Sequence, residues 1–452
     1  MTIAKQHATD IVRTLRGRGH LAYFAGGCVR DLLLAREATD YDVATDATPN
    51  QVMQIFPQTF AVGTQFGVVL VPLPKKDTGE SAVGPDEKIP VVEVATFRSD
   101  VGYSDGRHPD EVRFSRDPRE DVQRRDFTIN GMMLDPMTGE ILDFVGGRAD
   151  VQARIVRAIG DPERRFGEDK LRMLRAVRFA ARFEYAIEPA TMAAIQRLAP
   201  KIHQVSNERV REELTKMLTE GRARRAFLLL DESGLLREVL PEISLMKGVE
   251  QPPQFHPEGD VFVHTLLLLE KLEAGCSKTL AWGALLHDVG KPPTFRVAPD
   301  RIRFDGHVEV GVKMAAEICR RLRFSNDETD QILALVDNHM RFGDAQRMKN
   351  STLKKFFRLP GFEEHLELHR MDCLSSIGHL SSYDYVKEKL SGLPPEAIRP
   401  VPLLTGRDLI AVGYEPGPRF KEILAAVEDA QLEGRLATRE AAMEWMAREF
   451  PL

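Results

Sequence analysis

The stretch that most constrains the fold runs from Phe24 to Thr48, FAGGCVRDLLLAREATDYDVATDAT. It demands a turn tight enough for Gly26-Gly27 and an extended segment carrying Asp40-Tyr41-Asp42. Side chains two apart on a strand point the same way, so Asp40 and Asp42 share one face while Tyr41 and Val43 take the other. Adjacent carboxylates repel unless a cation lies between them, and hard oxygen donors select Mg²⁺ or Mn²⁺. Gly26 and Gly27 let backbone N–H groups approach a phosphate, and Arg30 adds a fixed positive charge. Singly, an Asp-x-Asp is a turn or solvated surface; joined to the Gly-Gly turn it predicts a nucleotide and metal site.

The flanking pattern supplies a small α+β frame. Residues 3–16 read as an amphipathic helix on Ile3, Ile11, Val12 and Leu15, and 31–35 as a second helix. Thr48-Pro49 caps a third, through Ile55. Two β-rich runs, 66–71 and 90–96, are joined by a polar Gly- and Pro-containing separator that reads as a hairpin loop. In the second run Glu93 is either an edge glutamate or a third carboxylate beside the aspartates. Residues 97–117 are polar and aperiodic, which in a compact domain marks a disordered or functional loop. After DFVGG at 143–147 the pattern is helical almost throughout.

Helix 168–185, EDKLRMLRAVRFAARFEY, places Arg172, Arg175, Arg178 and Arg182 on one stripe of an otherwise apolar surface. Arginines so placed need partners, either carboxylates or phosphates. Asp169 and Arg172, at i and i+3, set an acceptor beside a donor. Adenine and cytosine present an amine next to a bare ring nitrogen, whereas guanine and uracil present a carbonyl next to N–H. Such a pair accepts the first two and leaves groups unpaired against the others.

At 452 residues the chain is too long for one ordinary core. The pattern divides it at 1–150, 151–250, 251–375 and 376–452, with the last three helical. The first residues lack a signal-peptide core and no run approaches a membrane span, so the expected compartment is the cytoplasm. Cys28, Cys276, Cys319 and Cys373 are far apart and read as buried free thiols. A net charge of −6 excludes a general polycation, so any nucleic-acid surface is local, and 154–225 is locally basic.

The later half holds His264, His287-Asp288, His307, His339 and Asp372 on apolar-periodic helices. A lone histidine there is usually a satisfied core residue; the ordered set is more specific. Imidazole with carboxylate suits Mn, Fe, Ni or Zn.

GGCVRDLLL followed by DYDVATDATP resembles the head of the class II tRNA nucleotidyltransferases and bacterial poly(A) polymerases, within the DNA polymerase beta superfamily. The resemblance implies a mixed-sheet nucleotidyltransferase head followed by a helical neck, body, HD domain and tail. It implies two Mg²⁺ ions on Asp40 and Asp42, CTP and ATP as substrates, tRNA as partner and no membrane. DGRHP, with Asp105 and Arg107, is similar to the family's flexible loop that helps switch nucleotide choice. RRDFTIN resembles its ribose-recognising segment through Arg125, Asp126 and Asn130, although Gly131 stands where the family usually has alanine. Glu168, Asp169 and Arg172 match its base-reading E-D-x-x-R, with Arg175 and Arg178 as further nucleotide contacts. His264, His287, Asp288 and Asp372 resemble the H…HD…D ligands of the HD phosphohydrolases, with His307 and His339 for a second metal. The family implies CCA addition; an A-adding enzyme, a poly(A) polymerase and a non-catalytic RNA-binding protein are the alternatives.

Overall fold

Two strands carry the turn and the aspartates to the same edge. β1 (Ala22–Ala25) and β2 (Asp42–Thr45) run antiparallel with Ala25 opposite Asp42, so the chain leaves β1 into Gly26 beside that carboxylate. Tyr41 and Val43 are buried, Tyr41 lying against Phe24 with ring centroids 5.3 Å apart, while Asp40 and Asp42 are exposed. The expected face-sharing therefore holds, although Asp40 lies just before the strand and only Asp42 is in it.

The computed structural model describes residues 2–60, 67–73, 91–102, 109–254 and 256–452. These fall into two compact units, Met1–Pro241 and Glu242–Leu452. In the first, β3 (Val68–Pro72), β4 (Val91–Thr96), β7 (Met132–Leu134) and β8 (Ile141–Asp143) complete a six-stranded sheet of order β3-β4-β2-β1-β7-β8. Within this sheet, among the described residues, only the β2–β4 pair is parallel. The crossover it requires begins in α3 (Pro49–Ile55), where Gln51 accepts from the Thr48 N–H at 2.8 Å in a capping box. α1 (Ile3–Gly17) buries Ala8, Ile11, Val12 and Leu15 but leaves Ile3 exposed.

Several local expectations change. α2 spans Gly27–Leu33, not 31–35, because Gly26 at φ +78° makes the turn and its carbonyl accepts from the Val29 N–H. Residues 97–117 are not wholly irregular: β5 (Arg98–Val101) and β6 (Glu111–Phe114) form an antiparallel hairpin, and α4 (Pro118–Gln123) follows. Asp105 and Arg107 lie outside the described residues, as does most of the separator after β3.

The arginine-bearing helix is broken in two. α6 (Pro162–Glu168) ends before Asp169, which is extended at φ −146° and accepts from the Leu171 N–H at 3.0 Å, starting α7 (Leu171–Phe183). A short acidic side chain competes with the helix for its backbone donors, so Asp169 and Arg172 do not sit three apart on one continuous helix. α7 buries Met173, Leu174, Val177 and Ala180, and α9 (Asn207–Thr219) packs beside it.

The second unit is helical apart from a small hairpin, Arg296–Val297 with Ile302–Arg303. Trp282, Leu285 and Val336 are fully buried among its helices, and residues 404–446 hold a separate core on Leu409, Ile423 and Met446. All the cysteines are free; Cys28 and Cys319 are buried, whereas Cys276 and Cys373 are only half-buried, short of the expectation. Among the described residues no helix is long and apolar enough to cross a membrane.

Candidate active site

A cleft of about 470 Å³ opens where β1 turns into α2, and Gly26, Gly27, Asp42, Arg125, Asp126 and Asn130 line it with Arg172 and Arg175. At Gly26 a Cβ would come within 3.1 Å of the Arg125 guanidinium. Although its side chain is open to solvent, the protein around the Asp42 carboxylate in the cleft partly desolvates it, and with Glu93 and Asp40 nearby this pushes Asp42 up to about 6 against the pull of Arg125. Glu93 is on β4, adjacent to the Val43–Val94 register pair, and is solvent-facing like Asp42. Asp40 accepts from the Thr39 hydroxyl at 3.2 Å. Among the described residues these carboxylates do not close into a trio within 4.8 Å of one another.

The predicted arginines mostly have carboxylate partners. Arg30 is buried, donating to Asn130 at 2.5 Å and Asp31 at 2.8 Å with its guanidinium over the Phe183 ring. Arg125 donates to Asp121 at 2.9 Å. Arg175 donates to Asp126 at 2.6 Å; although burial opposes ionisation, this pair and the Asn130 amide hold Asp126 down to about 2. Arg178 does not line the cleft, contrary to expectation: it is buried and donates to Glu213 at 2.7 Å, because its position on α7 faces α9. Glu168 also stays out of the cleft lining and holds Arg172 at 2.7 Å from behind.

In the second unit the histidines converge. His264 donates Nδ1–H to Glu258 at 2.7 Å, and His287, His307 and His339 donate theirs to the carbonyls of Ala284, Phe304 and Val336 at 2.7–2.9 Å. Such bonds fix the tautomer and leave the Nε2 lone pairs facing inward. These Nε2 atoms lie 3.0–3.9 Å from oxygens of Asp288 and Asp372, yet none makes an aligned hydrogen bond. Among the described residues the Nε2 atoms enter two ligand trios, His264–His287–Asp372 and Asp288–His307–His339, and a third, His256–Glu258–His264, adjoins them, each within 4.8 Å. A Cβ at Gly290 would meet the His307 carbonyl at 2.0 Å, so this glycine lets the His307 helix dock on the His-Asp turn. Burial lowers His339 to about 4; at His264 the neighbouring Asp372 carboxylate and the bond to Glu258 outweigh burial and raise it to about 9. A proton there stands where a cation would, and metal binding would release it. Lys291, 2.7 Å from Asp288, lines the adjoining cavity of about 520 Å³ with Arg301, Arg303 and Phe304.

Comparison with known proteins places these sites in a family. Residues 22–157 match the Poly A polymerase head domain, 184–246 the probable RNA and SrmB-binding site of polymerase A, and 261–374 the HD domain. A CCA-adding enzyme of Geobacillus sp. (strain WCH70) is 32% identical over 446 residues, covering 98% of this chain and 96% of that protein. The chain belongs to the CCA-adding enzyme family. A second family member, from Geobacillus stearothermophilus, is 44% identical over 230 residues, 51% of this chain and about half (53%) of its own length. The crystal structure of the Bacillus stearothermophilus CCA-adding enzyme in complex with CTP superposes with a TM-score of 0.74 at 28% identity, covering 99% of this chain and 98% of that one.

Arg124, Phe179 and Arg209 also line the cleft and were not anticipated. Arg124 adjoins the RRD motif and was within reach of sequence reasoning; Arg209 comes from α9, and no local pattern ties it to Asp169. Gly131 has a structural reason: an alanine Cβ would come within 2.9 Å of both Ile159 and Val145.

Proposed function

We propose that this chain adds CCA to the 3′ end of tRNA, using CTP and ATP without a nucleic-acid template. The observation that carries this reading is a single cleft bringing Asp42 and the Gly-Gly turn together with Asp169 and Arg172. The whole-length likeness to CCA-adding enzymes supports it. Asp40, Asp42 and Glu93 fit a divalent ion by donor chemistry: they are hard oxygens, and the raised Asp42 is relieved by a cation. Mg²⁺ held there would lower the pKa of the tRNA 3′-hydroxyl and neutralise charge at the α-phosphate.

The chain's own groups then position the reactants. The backbone N–H at Gly27 and the Arg125 guanidinium receive phosphate, the Gly26 N–H being held by the Met132 carbonyl at 3.3 Å. Arg175 with Asp126 and Asn130 receives the ribose, and Asp169 with Arg172 chooses the base. Exposed arginines of 154–225 outside the cleft, such as Arg164, Arg197 and Arg222, grip the RNA backbone without reading sequence, and the reaction is assigned to the cytoplasm. Primer extension on tRNAs ending before CCA, after C and after CC tests the reading. Ordered C, C, A followed by arrest is expected. A alone on the CC-ending tRNA, or long A tails on unrelated RNA, replaces it with an A-adding enzyme or a poly(A) polymerase.

The inward-facing Nε2 atoms favour a second activity, metal-dependent phosphoester hydrolysis. His264, His287, Asp288 and Asp372 would hold one Mn, Ni, Fe or Zn ion, and His307 and His339 a second sharing Asp288. Metal analysis of the purified chain with phosphodiesterase assays tests this; a metal-free, inactive second unit after reconstitution removes it.

A further inference from the structure

Asp169 is not free to turn. From α9, Arg209 donates Nη2–H to its Oδ2 at 2.7 Å and Nη1–H to its Oδ1 at 3.3 Å. Oδ1 also accepts from the Leu171 N–H at 3.0 Å. A carboxylate oxygen has two in-plane acceptor sites, so Oδ1 is filled and Oδ2 keeps one. The two-pronged guanidinium contact fixes the carboxylate plane as well as its charge.

Arg172 is held just as firmly on its own side. Its Nη1 donates to Glu168 at 2.7 Å and to the Arg165 carbonyl at 3.0 Å, and its Nη2 to the Arg124 carbonyl at 3.0 Å. Of its five N–H groups, Nε–H and one Nη2–H remain for a ligand. With both side chains clamped, the cleft presents one acceptor site and a pair of donors in fixed places. That arrangement matches an amine beside a bare ring nitrogen and opposes a carbonyl beside N–H.

We propose that Arg209 is a positioning residue that sets base specificity by holding the Asp169 carboxylate in register with Arg172. It touches no reacting atom, and the inference rests on the assignment of base reading to Asp169 and Arg172. Without Arg209, only the Leu171 N–H restrains Asp169, and the carboxylate turns about its Cα–Cβ and Cβ–Cγ bonds. A carboxylate displaced by one position accepts the N3–H of uracil as readily as the amine of cytosine.

The test measures kcat/KM for CTP, ATP, UTP and GTP on a tRNA ending before CCA, in the full-length chain, with tRNA binding as the check on folding. Arg209→Met is expected to lower the CTP:UTP ratio by at least about tenfold. Arg209→Lys, which keeps one charged donor but not the fork, is expected to lie between Arg209→Met and the parent. Asp169→Ala is run alongside. A parallel fall for every nucleotide in Arg209→Met, with the ratio unchanged while Asp169→Ala collapses it, overturns the proposal and spares the base-reading assignment. An unchanged ratio in Asp169→Ala overturns that assignment and the proposal with it. Should Arg209→Met lose tRNA binding, Arg209→Lys decides alone, and a parental ratio there overturns the proposal.

Discussion

The head cleft and the histidine cluster gather charged and metal-ligating groups in opposite ways. In the second unit His264, His287, His307 and His339 are already oriented by Nδ1–H bonds, and within each ligand trio the ligand atoms lie within 4.8 Å of one another. In the head the carboxylates stay further apart, Asp42 is raised to about 6, and the arginines are occupied by protein carboxylates. The imidazoles can be packed together without an ion, because His339 is held neutral by burial and the proton on His264 is balanced by Asp372 and Glu258. Carboxylates at one strand edge cannot, so the head is completed only with its nucleotide and metal.

The strongest test of that contrast removes the head carboxylates. Replacing Asp40 and Asp42 by alanine together is expected to reduce nucleotide addition by at least about 10⁴-fold, the scale seen when a catalytic unit is lost. Metal content of the histidine cluster should be unchanged; retained addition in primer extension would end the metal assignment.

Next in size is the scaffold beneath the cleft. Arg178→Met leaves Glu213 buried without its partner and should cost about 3–5 kcal/mol in urea unfolding of the first unit, with the KM for CTP unchanged. A large rise in KM with little loss of stability would return Arg178 to the nucleotide.

Glu258→Gln probes the pre-set side of the comparison. It replaces the carboxylate that orients His264, and metal affinity measured by competition with a chelator should fall about 10–100-fold. An unchanged affinity would mean that the cage does not depend on this outer support.

The smallest effect concerns pH. Folding raises Asp42 above its ordinary value near 4, so between about pH 4 and pH 6 the folded form holds the proton more firmly than the unfolded one. Stability of the first unit is expected to fall as pH rises through that window and to level off above it. Asp42→Asn should flatten the profile and add less than about 1 kcal/mol at pH 7, since this exposed side chain is screened by solvent. Thermal melts across pH without divalent ions check the slope, and a slope of the opposite sign refutes a raised Asp42 as its cause.

Much of this was legible along the chain. Glycine pairs, alternating apolar residues and the Thr48-Pro49 cap are local signals, and they located β2, α3, β3 and β4 because strand and cap chemistry act over a few residues. The order of His264, His287-Asp288 and Asp372 also indicated a shared site, although only packing explains how it forms: Gly290 admits the His307 helix against the turn. The break at Asp169 was missed because an apolar periodicity runs straight through it, whereas the side chain's own bond to Leu171 N–H ends one helix and starts the next.

The sequence by itself determined which chemical groups are present and, at the Asp40–Val43 segment, which face each one takes, since alternation and capping are properties of neighbours in the chain. Only the tertiary structure decided which arginines face the cleft. Arg172 and Arg175 line it while Arg178, on the same helix, is spent on Glu213, and Arg209 arrives from α9 to hold Asp169. A buried charge takes the partner that packing brings within reach, and the choice between carboxylate and nucleotide is made across the interface of two helices.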